Sequence, residues 1–120
     1  MMRGGQPDWD AEPASVGSDP AGAFRSAAEE LMVVWREQEA SAVAGADWQT
    51  AEFAVHTWDL ARGLGRPTDD LDPEVATRGL DFMRQGLTPE NRGRAFAAEQ
   101  PAPPDAPVYE RLAAFAGREV

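Results

Sequence analysis

Residues 47–65 read DWQTAEFAVHTWDLARGLG, and this stretch decides the fold. Nineteen positions hold no internal proline, and Gly63, Gly65 and Pro67 supply a stop at the end. Arg62 stands in the last turn, where the helix dipole favours a cation. The spacing therefore predicts a helix from about Asp47 to Leu64. Residues four apart lie one above the other on a helix, so Glu52 and His56 share one side, with Asp59 bordering the same strip. A carboxylate oxygen and an imidazole nitrogen on one side can converge on a divalent cation. The same spacing also describes an ordinary side-chain pair worth about 0.2–0.5 kcal/mol. Asp59 reads either as an ion-pairing group near Arg62 and Arg66 or as a support that orients His56. Acid–base chemistry by Glu52 with Asp59 is disfavoured, because seven residues place them about 10 Å apart along the axis. Trp48, Phe53, Trp58 and Leu60 read as core, since large apolar groups on a helix usually face its neighbours.

Outward from this stretch the same grammar recurs. Asp19 before Pro20 is a cap followed by a proline whose missing amide costs nothing in the first turn. A helix is expected from there to about Glu39, its apolar side formed by Phe24, Ala28, Leu31 and Trp35 and widened by Ala27 and Val34. Gly45 is expected to close the connection to the next helix. Asp72-Pro73-Glu74 repeats the signal and opens a helix that buries Val75, Ala76, Leu80, Met83 and Leu87. Gly79 weakens its middle and Gly86 suggests its end. Thr88 to Pro104, with its PAPP run, reads as a long surface connection. Asp105-Ala106-Pro107 opens a last helix with Val108, Leu112 and Phe115 on one side and Gly117 at the left-handed cap. Strand alternation is nowhere convincing. The expectation is an all-α chain of about four helices: an irregular segment over 1–18, one helical domain over 19–120, and a proline-rich loop before the last helix.

Composition narrows the chemistry. The chain has 120 residues, enough for one small core, and 42% of them are apolar. Twenty-one acidic residues face 11 basic ones, all arginine, for a net charge of -10. That balance would repel a phosphate backbone, so nucleic acid is not an expected partner. With no cysteine, disulfides, thiolate metal ligands and cysteine nucleophiles are excluded, and any metal must be held by nitrogen and oxygen. No apolar run approaches the ~20 residues that cross a bilayer, and Met1 to Asp10 do not resemble a leader. The expected partners exclude membranes, and the expected location is the cytoplasm.

The run from Glu52 to Gly65 resembles the E-x-x-x-H-x-W-D-L-A-R-A-x-G segment of DinB-like metalloproteins related to mycothiol-dependent maleylpyruvate isomerase. The Asp72-Pro73-Glu74 opening and the tail from Pro104 to Arg118 also resemble that family, so the likeness extends from about Asp19 to Arg118. The resemblance implies a four-helix bundle carrying a divalent metal, usually zinc, with Glu52 and His56 as ligands. It further implies that the metal activates a low-molecular-weight thiol such as mycothiol for transfer or isomerisation. The family's third ligand is a histidine in a segment of the type G-W-[TS]-x-x-x-L-x-x-H. Nothing like it precedes Asp19, and His56 is the one histidine present. The fold is thus expected to be a partial DinB-like bundle. Helices absent from it would normally cover Phe24, Leu31, Trp35, Phe53 and Trp58. A homo-oligomer, or a partner supplying those helices, is the expected remedy. The reading from another class is a non-catalytic helical interaction module in which Glu52 and His56 are relics.

Overall fold

Aspartate followed by proline opens two of the helices, whereas the last helix begins after Pro107 without a side-chain cap. The Asp19 carboxylate accepts from the Gly22 amide at 2.9 Å and opens α1 (Pro20–Arg36). The Asp72 carboxylate accepts from the Glu74 amide at 2.9 Å and opens α3 (Pro73–Gly86). Each cap satisfies one of the amides that the first helical turn leaves without a partner. Between them lie a short 3-10 turn (Ala40–Ala42) and α2 (Val43–Gly63), and α4 (Val108–Phe115) follows the proline-rich connection. The computed structural model describes Asp8, residues 10–94 and residues 96–120, with nothing said of the Ala44 side chain. No strand occurs among the described residues, and the chain is all-α. Of the expected irregular segment 1–18, Met1 to Pro7 and Trp9 lie outside the described residues. The remainder forms turns and bends without a helix.

Two units divide at Ala42/Val43. The first contains α1, which ends at Arg36 instead of Glu39. Ala28, Leu31, Val34 and Trp35 are half-buried along the expected stripe, while Phe24, expected on that stripe, is 70% exposed. No residue of α1 is buried.

In the second unit α2, α3 and α4 pack against one another. The side of α2 that faces the core carries Ala51, Ala54, Val55 and Trp58, spaced three, one and three apart, as a helical stripe requires. Ala76, Leu80 and Met83 meet it from α3, and Tyr109, Leu112, Ala113 and Phe115 from α4. Gly79, which weakens α3 as an isolated helix, has a packing purpose. A Cβ there would stand 3.1 Å from the Ala51 Cα, so the absent side chain lets α2 and α3 approach closely. Gly45 lies inside α2 and does not close the preceding connection, because the helix begins at Val43.

Glycine ends two of these helices in one way. Gly65 has φ +64, and the Arg66 amide donates to the Ala61 carbonyl at 2.9 Å. Gly117 has φ +92, with the Arg118 amide donating to Ala113 at 2.9 Å and its own amide to Ala114 at 3.0 Å. This paired arrangement satisfies carbonyls that the last turn leaves free and needs a residue tolerant of positive φ. The second of these ends carries Arg118 back toward α2.

Val75, placed on the buried face of α3 by spacing, is 37% exposed. It sits in the first turn of α3. No helix among the described residues is long and apolar enough to cross a membrane.

Candidate functional site

The polar strip of α2 stands one residue, or about 100° of turn, from the core stripe. Glu52 follows Ala51, His56 follows Val55 and Asp59 follows Trp58. That register seats each polar group at the margin of the core, half in water. The side chains of Glu52, His56 and Asp59 retain 38%, 64% and 34% of their exposure.

Glu52 and His56 converge: His56 Nε2 stands 3.6 Å from Glu52 Oε2. The other ring nitrogen, Nδ1, lies 3.2 Å from Asp59 Oδ2. The first distance is too long for a good hydrogen bond, whereas the second is near its outer range. A neutral ring donating Nδ1–H to Asp59 leaves the Nε2 lone pair directed toward Glu52. Asp59 thus adjoins His56 on the nitrogen remote from Glu52, the supporting position read from the sequence.

Asp59 is held in turn, but not by the arginines near it in sequence. Arg118, fifty-nine residues away, grips both its oxygens: Nε donates to Oδ1 at 3.0 Å and Nη2 to Oδ2 at 2.9 Å. Arg118 also donates from Nη1 to the Ala116 carbonyl at 3.0 Å, which fixes the guanidinium plane against the end of α4. Bidentate pairing of this kind sets orientation as well as energy. Arg62 instead lies over the Trp58 ring, 5.7 Å from its centroid. The correction has a simple cause, since the left-handed turn at Gly117 redirects the chain and no periodicity announces where it points.

The Arg118 guanidinium holds the Asp59 carboxyl below the usual carboxylate range, with a smaller lowering contribution from His56, against burial that pushes it up. A carboxyl with a lowered pKa stabilises the fold above its ordinary titration range, and loses that contribution as pH falls through its own lower value. Arg118→Gln is therefore expected to move the Asp59 titration upward, as followed by carbon-13 NMR of the carboxyl. With both partners partly exposed, solvent screening should confine the stability loss at neutral pH to about 1 kcal/mol. An unmoved Asp59 titration would show that Arg118 is not what depresses it.

Three other aromatic and aliphatic groups of α2 depart from the core reading. Trp58 is buried, as expected, but Trp48, Phe53 and Leu60 are 44%, 52% and 64% exposed. Trp48 still meets the edges of Phe82 and Phe96, each at 6.3 Å between centroids. Phe53 and Leu60 fall on the side of α2 turned away from Ala51 and Val55, and Leu64 continues that stripe at 63% exposure. The polar strip accordingly runs between a buried apolar stripe and an exposed one.

Among the described residues no group of three histidine, aspartate or glutamate side chains is arranged to hold a metal ion. Asp59 does not complete such a set, because it adjoins Nδ1 while Glu52 adjoins Nε2. What this chain presents is a pair of donors, a carboxylate and a braced imidazole.

The fold and strip define an all-helical protein with a carboxylate–imidazole–carboxylate–guanidinium line along one helix margin. In sequence it is similar to two uncharacterized proteins from two strains of Mycobacterium tuberculosis, each 43% identical over 74 residues. The match takes in 60% of this chain and 40% of each relative, so the chain spans less than half the length of the proteins it matches. No family model and no solved structure matches it.

Proposed function

We propose that this chain is a divalent-metal-binding helical protein in which Glu52 and His56 supply two donors to one cation. The observation that carries the reading is the 3.6 Å separation of Glu52 Oε2 and His56 Nε2. Two donors bound at zinc–nitrogen and zinc–oxygen distances around a tetrahedral ion stand about 3.4 Å apart. The pair thus needs only a small adjustment to fit. Support also comes from the far ring nitrogen: a histidine ligand commonly donates its other N–H to a carboxylate that fixes the ring, and Asp59 stands there at 3.2 Å. Oxygen and nitrogen donors without thiolate suit zinc among the divalent ions.

In this reading the chain forms part of a metal-dependent low-molecular-weight-thiol transferase or isomerase of the DinB-like, mycothiol-dependent maleylpyruvate isomerase-like kind, with a further donor coming from outside these helices. The cation, when bound, would lower the pKa of a coordinated thiol and favour its thiolate. The chain's own residues perform the holding. Glu52 contributes negative charge, Asp59 fixes the tautomer of His56, and Arg118 keeps Asp59 ionised and in place.

Zinc titrated calorimetrically into the full chain is expected to bind with micromolar or tighter affinity, equivalent to about 8 kcal/mol or more. Glu52→Ala and His56→Ala should each abolish that affinity. Asp59→Asn should weaken it by about 10- to 100-fold, the usual cost of removing a group that orients a ligand. Millimolar binding, or binding indifferent to His56→Ala, would leave the strip an ion-pair line.

The exposed stripe of Phe53, Leu60 and Leu64 favours a second reading, a non-catalytic interaction module. Sedimentation of the chain, with and without Leu60→Glu, tells the two apart. Self-association lost in that variant while zinc affinity stays absent favours the module.

A further inference from the structure

Among the described residues Arg92 is the one buried charged residue, 8% exposed, and it has no carboxylate within ion-pairing distance. Its surroundings hold it firmly. Nη1 donates to the Ala97 carbonyl at 2.8 Å and to the Phe115 carbonyl at 2.7 Å, and the guanidinium lies 4.9 Å from the centre of the Phe115 ring. Both hydrogen bonds leave from one nitrogen. Among the described residues neither Nε nor Nη2 is seen to bond a side chain or carbonyl.

Arg92 also lines a groove of about 500 Å³ between the end of α3 and the connection to α4. Leu87, Pro89, Phe96 and Phe115 give it apolar walls, while Arg84 brings a second guanidinium and Glu99 a single carboxylate. Its volume falls in the range of small-molecule sites. A chain with 21 acidic and 11 basic residues has carboxylates in excess. A buried cation left without one is costly, and carbonyl dipoles and a ring face compensate it only in part. An anion seated against Nε and Nη2 would complete it.

We infer that this groove binds a small carboxylate with an apolar body, its carboxyl against Arg92 and Arg84 and its hydrocarbon against Leu87, Phe96 and Phe115. The planar guanidinium matches a carboxylate in two parallel hydrogen bonds. The apolar walls select the body of the ligand, which a bare inorganic anion lacks. Glu99, among the lining residues, disfavours a second negative charge and restricts the class to monocarboxylates. The groove lies apart from the Glu52 and His56 strip and does not depend on its chemistry.

The test is a nitrogen-15 NMR titration of the full chain near neutral pH with octanoate, octanamide and inorganic phosphate. Octanoate is expected to give saturable shifts centred on the amides of Gly93, Ala97 and Ala98. Octanamide, of equal shape but uncharged, should bind about tenfold more weakly, the weight of a charge-assisted hydrogen bond. Arg92→Ala removes two backbone tethers and can unfold the connection, so the exposed Arg84 is the residue to vary. Arg84→Gln should weaken octanoate by several-fold and leave octanamide unchanged, whereas Glu99→Gln should strengthen octanoate. Octanamide equal to octanoate, phosphate equal to octanoate, shifts centred elsewhere, or no saturation with octanoate would each overturn the assignment.

Discussion

Leu112→Ala is expected to destabilise the Val43–Val120 unit by about 3 kcal/mol, the middle of the range for a fully buried leucine. Leu112 has no exposed surface and sits on the shortest of the helices, beside Ala113 and one turn before Ala116, both equally buried. Its side chain belongs to the core shared by α2, α3 and α4, so its removal leaves a cavity there. For a unit of this size the loss corresponds to a fall in Tm of more than about 10 °C. Urea unfolding followed by helical circular dichroism measures it directly. A loss below about 1 kcal/mol would mean that α4 is not a working part of the core.

Gly79→Leu should be more damaging still. Gly79 is buried where α3 crosses α2, and the first atom of any side chain would lie 3.1 Å from the Ala51 Cα and 3.6 Å from the Ala54 Cβ. The nearest obstacle is backbone, which cannot rotate aside. A leucine must therefore push the helices apart, uncovering Ala51, Ala54 and Leu80 together. The cost is expected to exceed about 3 kcal/mol, the upper end for overpacked cores. Gly79→Ala is the informative control. Alanine gains up to about 1 kcal/mol in helix propensity, and that gain offsets a shift of a few tenths of an ångström. The alanine variant should remain within about 1 kcal/mol of the parent. If the leucine variant also does so, the close approach of α2 and α3 is not what Gly79 provides.

What was legible in the sequence was local. Aspartate before proline announced α1 and α3, and both carboxylates bind the expected amides. Gly117 announced the left-handed end of α4. Four-residue spacing brought Glu52 to His56, and three-residue spacing brought Asp59 to the opposite ring nitrogen. These features depend on neighbours within one turn, so the chain itself carries them.

The illegible features depended on contacts that chain position does not encode. Arg118 reaches Asp59 across fifty-nine residues because a glycine turn redirects it. Arg92 reads as one more charge in a surface connection, yet it is buried between two carbonyls. Phe53 and Leu60 were read as core from residue type, although their register sets them away from Ala51 and Val55. In each case the rule applied was sound, and packing between elements decided otherwise. Gly45 shows the reverse. A glycine that costs about 1 kcal/mol in isolation is tolerated within the first turn of a long helix.

One contact couples two helix starts. Tyr109, in the first turn of α4, donates its hydroxyl to the Asp72 carbonyl at 2.9 Å, while the Asp72 carboxylate caps α3. Burial, with a smaller contribution from Asp72, pushes the Tyr109 phenol above its ordinary range. The protonated phenol therefore favours the fold fully below the ordinary tyrosine range, and that contribution is lost as pH rises from there through the raised value. Since the chain contains a single tyrosine, its phenolate absorbance belongs wholly to that joint. The molecule carries its own optical gauge, which reports without any attached label when the openings of α3 and α4 part company.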